Sequence, residues 1–315
     1  MALHRMVIAL GGNALQKKGE ASAASQINVA RETARQLVTL ISKGHQVVIV
    51  HGNGPQVGDI LLHEEAFNTA EAPTLPLDSC DAMSQGSIGY WLQQGIGNEL
   101  RAQHSQQSVA SIVTQVIVDA SDPAFQNPTK PIGPFYESET EARTAAEARH
   151  FTVTEDAGRG WRRVVPSPLP KTIVEKPLIT SLIDDGFIVI AAGGGGVPVL
   201  ETEQGLQGIA AVIDKDMSAS VLADGIEAEV LLILTSVEAA KIRFNTPNEQ
   251  TLHHVSCEQM RRYCSDGEFA SGSMLPKVLA SLAFVEKRRG HRKAIIASLD
   301  TIQAAMDGKS GTIIT

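Results

Sequence analysis

Three cysteines in 315 residues, Cys80, Cys257 and Cys264, are too few, odd in number and too widely spaced for a disulfide scaffold or a zinc knuckle. They fit a reducing cytoplasm. Nine histidines are present, but none stands in His-Glu-x-x-His or similar spacing, so no metal centre is expected. No apolar run approaches the ~18 residues of a membrane span. The first run, Met6 to Leu10, is too short for the core of a signal peptide and meets Gly11-Gly12 at once. Basic residues are outnumbered, giving a formal net charge of −8, which argues against the concentrated basic face that nucleic acid demands. The expectation is a soluble, cytoplasmic protein with neither membrane nor nucleic acid as partner.

Three common catalytic signatures are missing as well. No Gly-x-x-x-x-Gly-Lys-Ser/Thr occurs, which excludes a P-loop, and no Gly-x-Ser-x-Gly elbow occurs. Gly52, Gly54 and Gly58 resemble a dinucleotide fingerprint but carry one residue too many between the last two glycines.

The sequence does have a repeated alternation of short apolar runs with amphipathic stretches. Met6 to Leu10 reads as a strand buried on both faces, and Gln46 to Val50 as a second. Between them Ile27, Ala30, Ala34, Leu37, Val38 and Ile41 share one helical face, closed by Gly44. Residues 85–94 read as helix despite Gly86 and Gly89, and 108–118 as a third strand. Further on, a helix over 172–185 feeds a strand over 187–192. A helix from Asp216 to Gly225 feeds the strand Val230 to Thr235, and a helix from Gly272 precedes a strand at Lys293. This order predicts an α/β fold: an open, mostly parallel central sheet with helices on both faces.

One segment breaks the pattern. Residues 119–170 hold seven of the fourteen prolines and five of the thirteen aromatics. Proline lacks a donor and fixes φ, so regular helix or central strand is ruled out there, while the aromatics argue against a disordered linker. A compact lobe inserted in a single domain spanning 1–315 is expected, with a helix over 138–148 and a return through Trp161 to Val165.

Chemistry concentrates where strands end. Gly11-Gly12-Asn13, Gly52-Asn53-Gly54 and residues 193–196, including Gly194 and Gly195, each follow a buried strand. They bring bare backbone N–H groups, good anion donors, to one edge of the sheet. Lysines stand near such turns: Lys215 between Asp214 and Asp216 at a helix start, Lys277 in the first turn of the helix after Gly272, and Lys130 between Pro128 and Pro131. A cation in a first helical turn opposes the helix dipole, so an anion nearby explains Lys277 better than helix stability does. Asp216 would orient the lysines while helping to cap its helix. Taken singly, each lysine has an ordinary alternative as a solvated surface charge.

The combination resembles the carbamate kinases of the amino-acid-kinase fold. The matching stretches are Ala9-Leu-Gly-Gly-Asn-Ala-Leu15, His51-Gly-Asn-Gly-Pro-Gln-Val-Gly58, Gln85-Gly-Ser-Ile-Gly-Tyr90, Asp122-Pro-Ala-Phe-Gln-Asn-Pro-Thr-Lys-Pro-Ile-Gly-Pro-Phe-Tyr136, Arg163-Val-Val-Pro-Ser-Pro168, Ala192-Gly-Gly-Gly-Gly-Val-Pro198, Ile213-Asp-Lys-Asp216, Gly272-Ser-Met-Leu-Pro-Lys277 and Gly311-Thr-Ile-Ile314. The resemblance implies reversible transfer from ATP to carbamate, giving ADP and carbamoyl phosphate, with Mg²⁺ and a homodimer, in arginine or other nitrogen catabolism. It places catalysis on Lys130, Lys215, Asp216 and Lys277. It places carbamate and the transferring phosphoryl group near Gly11, Gly12, Asn13, Gly52, Asn53, Gly54, Gly194 and Gly195, and the nucleotide near Lys215, Thr235, Val237, Glu238, Met274 and Lys277. Glu238 departs from the family, which generally has Asp there. Another small-acid kinase of the same fold, or a non-catalytic sensor of nucleotide or carbamoyl phosphate, would carry many of the same features.

Overall fold

The computed structural model describes residues 3–16, 20, 22–156 and 160–315, and of Asn13 its backbone alone. Eight strands form the central sheet, in the order His254–Val255, Thr312–Ile314, Lys293–Ser298, Val230–Thr235, Arg5–Leu10, Gln46–His51, Ile188–Ile190 and Val109–Ser111. From Lys293–Ser298 to Val109–Ser111 all neighbours run parallel; Thr312–Ile314 pairs antiparallel with Lys293–Ser298 and parallel with His254–Val255.

The continuous apolar runs have a simple cause, because the sheet is covered on both faces. Alternate residues of each strand enter different cores. Met6, Ile8, Leu10, Val47, Ile49, Leu232 and Ile295 meet Ala34, Leu37 and Val38 of helix Ala23–Ile41, with Ile88, Leu92 and Ile96 of helix Leu77–Ala102. Val7, Ala9, Val48, Val50, Leu231, Ile233 and Ile296 meet Ile179 of helix Lys176–Asp184, Leu222 of helix Lys215–Gly225, and Phe284 of helix Met274–Glu286. Two such cores around one sheet make the three-layer α/β fold.

Residues 119–170 supply a separate three-stranded antiparallel sheet, Lys130–Tyr136, Trp161–Val165 and Thr152–Glu155, with helix Glu139–Arg149 against it. It rests on helix Gly54–Ala66. Gly58 of that helix meets Gly133 so closely that a Cβ on Gly58 would fall 2.0 Å from the Gly133 nitrogen. Only a bare backbone at Gly58 permits this approach, and Gly133 itself has φ +70°, a conformation that side chains disfavour.

The structure differs from the sequence expectation in three places. The third strand is two short strands in two sheets: Val109–Ser111 joins the central sheet, while Gln115–Ile117 joins a four-stranded sheet with Gly205–Gly208, Val197–Thr202 and Thr172–Ile173. The break falls at Thr114, where Gln85 accepts from Thr114 N at 2.9 Å and donates to Thr114 O at 3.1 Å, while Thr114 O also accepts from Val197 N at 2.8 Å as the chain enters the second sheet. The helix expected over 172–185 begins at Lys176, because Thr172 and Ile173 pair with Ile117 and Val116 first, and Pro177 then opens the helix. The hairpin of Val197–Thr202 with Gly205–Gly208 was not foreseen; Gly205, at φ +105°, closes its turn.

Candidate active site

Four neighbouring strands of the central sheet, Val230–Thr235, Arg5–Leu10, Gln46–His51 and Ile188–Ile190, run parallel and end on the same edge. Each glycine segment follows one of these ends. The chain leaves Arg5–Leu10 toward one side of the sheet and later returns to its other side, the arrangement that opens a crevice beyond the carboxyl ends. Gly11 N donates to Leu234 O at 2.9 Å, and a Cβ on Gly11 would meet that oxygen at 2.8 Å. Gly12 and Asn13 continue into a single 3₁₀ turn; the Asn13 side chain lies outside the described residues.

The turn after Ile188–Ile190 is built for close approach. Gly194, Gly195 and Gly196 have φ of +68°, +98° and +87°, conformations that side chains disfavour. A Cβ on Gly194 would lie 2.2 Å from Asn53 Nδ2, and one on Gly195 would lie 2.3 Å from Ile213 O. Ser218 Oγ donates to Gly195 O at 2.6 Å. Turn 193–195 is therefore packed directly against the loop that carries Asp214, Lys215 and Asp216.

That loop organises the charge. Asp214 caps helix Lys215–Gly225, its Oδ1 accepting from Asp216 N at 2.9 Å and Met217 N at 3.3 Å. Its Oδ2 accepts from Lys130 Nζ at 2.6 Å, reaching across from the three-stranded lobe. Asp216, 2% exposed, receives Lys215 Nζ on Oδ1 at 2.6 Å and Lys277 Nζ on Oδ2 at 3.2 Å. Burial pushes the Asp214 carboxyl up, but the Lys130 and Lys215 ammoniums outweigh it and hold it below the usual carboxylate range. Burial also lowers the Lys215 ammonium from its usual value, against the pull of Asp216. Lys215 lies over Gly52, whose Cβ, if present, would meet Lys215 Cδ at 3.2 Å.

Asn53 stands at the start of helix Gly54–Ala66, yet its side chain does not cap that helix. It turns instead to helix Leu77–Ala102, donating through Nδ2 to Asp81 Oδ1 at 2.5 Å and to Ser84 Oγ at 2.8 Å. The neighbouring His51 is buried, with Nδ1 3.0 Å from Gly52 O, and burial lowers its pKa to about 4.

The residues expected at the nucleotide divide. Lys215 and Lys277 meet on Asp216, and Met274 begins the Lys277 helix. Thr235 ends its strand beside Gly11. Val237 and Glu238 lie in the bend that follows, and Glu238 Oε1 accepts from Ser310 Oγ at 2.8 Å. Sequence reasoning missed Asp214 as the partner of Lys130, and missed Asp81 and Ser84 altogether. Asp81, Ser84 and Gln85 are polar residues on the same helical face as the buried Ile88 and Leu92, a signal that could have found them.

Among the described residues no three His, Cys, Asp or Glu side chains converge as a metal site. What the arrangement offers is ammonium groups and backbone N–H groups facing one edge, suited to binding and neutralising anions.

The sequence model of the amino acid kinase family matches residues 4–298, and the chain belongs to that family. A carbamate kinase of Pyrococcus horikoshii is 50% identical over 314 residues, covering 99% of each chain. The carbamate kinase of Giardia lamblia bound to citric acid superposes with a TM-score of 0.94 at 41% identity, covering 99% of this chain and 98% of that one. The same Giardia enzyme bound to AMP-PNP gives 0.89 at 41%, with the same coverage. Within the family the chain is one of the carbamate kinases.

Proposed function

We propose that this chain transfers a phosphoryl group reversibly between ATP and carbamate, and that Lys130, Lys215 and Lys277 carry the transfer. A carbamate oxygen attacks the γ-phosphorus, the new P–O bond forms as the bond to the β–γ bridging oxygen breaks, and ADP leaves. The attacking oxygen is already anionic, so no proton has to be removed and no general base is needed. What remains is to bring two anions together and spread charge from the phosphoryl oxygens.

The observation that carries this reading is the sharing of two adjacent carboxylates, Asp214 and Asp216, by three lysines from three separate elements. Lysines aimed in advance need little reorganisation as charge develops. Gly11, Gly12, Asn13, Gly52, Asn53, Gly54, Gly194 and Gly195 would surround carbamate and the phosphoryl group, with Thr235, Val237, Glu238 and Met274 toward the nucleotide. Glu238 Oε1 accepts from Ser310, which leaves its Oε2 and its backbone for the nucleotide. Mg²⁺ would come with the nucleotide as part of the substrate.

The three-stranded unit in residues 119–170 is, in this reading, a protruding subdomain that brings Lys130 to the site. A homodimer is supported by the open edge strand Val109–Ser111 and by exposed Met83, Tyr90, Val113 and Leu206. The free thiols Cys80, Cys257 and Cys264 support a cytoplasmic setting, where arginine or other nitrogen catabolism would supply carbamoyl phosphate. A panel of acyl phosphates offered with Mg-ADP tests the reading. Carbamoyl phosphate should be the preferred donor; preference for an amino-acid acyl phosphate would overturn it.

A further inference from the structure

Asp81 is fully buried, its Oδ1 bonded to Asn53 and its Oδ2 without a hydrogen-bond partner. Such a group is costly to bury, so its place invites a reason. Ser84 is equally buried; its hydroxyl donates to Asp81 O at 2.7 Å and accepts from Asn53 Nδ2. Both hydrogens of the Asn53 amide are thereby committed to helix Leu77–Ala102. What the side chain can still offer is its carbonyl Oδ1, an acceptor. It lies against turn 193–195, where a Cβ on Gly194 would fall 2.9 Å from it, and its residue follows Gly52, over which Lys215 lies.

An acceptor is the wrong group to point at a phosphoryl or carboxylate oxygen. Of the two partners in the transfer proposed above, carbamate alone carries a donor near its reacting carboxylate, the amino N–H. We infer that Asn53 is a specificity-determining residue whose Oδ1 accepts that N–H, and that Asp81 and Ser84 are positioning residues which fix the amide in this orientation. The inference rests on the carbamate reading. The need for it is chemical: without an outside constraint a side-chain amide turns over freely, and its NH₂ end would be drawn to the anions. Burial raises the Asp81 carboxyl well above its usual value, against the pull of the hydrogen bond from Asn53.

Acetyl phosphate carries a methyl where carbamoyl phosphate carries the amino group, so the two donors, each with Mg-ADP, isolate this contact. For Asn53→Ala the fall in kcat/KM with carbamoyl phosphate should exceed the fall with acetyl phosphate by about tenfold, the scale of one hydrogen bond. Ser84→Ala and Asp81→Ala should shift the ratio the same way, whereas Asp81→Asn, which keeps a carbonyl oxygen to accept from the Asn53 amide, should hold the wild-type ratio. Ser84→Ala keeps the test open if Asp81→Ala does not fold. Equal losses with both donors in Asn53→Ala, or a wild-type ratio in Ser84→Ala, would overturn the inference. Wild-type protein inactive with carbamoyl phosphate would instead overturn the carbamate reading, and with it the amino donor invoked here.

Discussion

Lys277 and Lys215 share one carboxylate: Asp216 receives Lys215 Nζ at 2.6 Å and Lys277 Nζ at 3.2 Å, on different oxygens. One lysine is its chain neighbour and the other arrives on a helix 61 residues later. Asp216→Ala should therefore release both cations at once. Turnover should fall by about 10²–10³, the usual cost of one lost electrostatic contact at a transition state, or more. The loss should not grow much when Lys215→Ala is added. Steady-state rates of the single and double variants check this.

Gly52 and Gly194 separate two kinds of glycine. At Gly52 a methyl would press on Lys215 Cδ at 3.2 Å, the flexible part of a side chain. Gly52→Ala should keep near-normal stability and lose activity, because the lysine is moved. At Gly194, φ is +68° and a methyl would meet Asn53 at 2.2 Å. Gly194→Ala should cost stability as well, about 1–3 kcal/mol. Thermal melts and rates measured side by side distinguish the two.

Docking of the three-stranded lobe depends on the contact of Gly58 with Gly133. Gly58→Val puts side chain where backbone lies 2.0 Å away, so the lobe must shift and carry Lys130 from Asp214. The expected result is a rate close to that of Lys130→Ala, with easier proteolysis within 119–170. A wild-type rate would show that lobe position does not matter.

His51 gives an acid-side prediction. Its folded pKa is about 4 against an unfolded 6.5, so below 6.5 the unfolded chain takes up a proton that the folded chain refuses. Stability is whole above pH 6.5 and falls as pH drops toward 4, by about 3 kcal/mol from this group. Urea unfolding of His51→Gln between pH 7 and 4 should show a correspondingly shallower loss than wild type.

The sheet was legible because both of its faces are covered: Met6 to Leu10 and Val230 to Thr235 could be read as buried strands from their unbroken apolar runs. The convergence of the lysines was legible only from the set, because all three stood beside glycine or proline turns while each singly could have been a surface charge. The split at Thr114 was not, since it depends on Gln85, which lies 29 residues away in sequence; its place on a buried helical face does not name its partner. Asp81 stayed hidden for a similar reason. A polar residue on a buried helical face shows its purpose only when the fold brings Asn53 to it.

The most direct test supplies carbamoyl phosphate and Mg-ADP to the purified protein and follows ATP. Wild-type protein should make ATP well above the enzyme-free rate, and Lys215→Ala and Lys277→Ala should each make it about 10²–10³ more slowly with unchanged circular dichroism. Folded wild-type protein that makes no ATP, or wild-type turnover in both variants, would contradict the account.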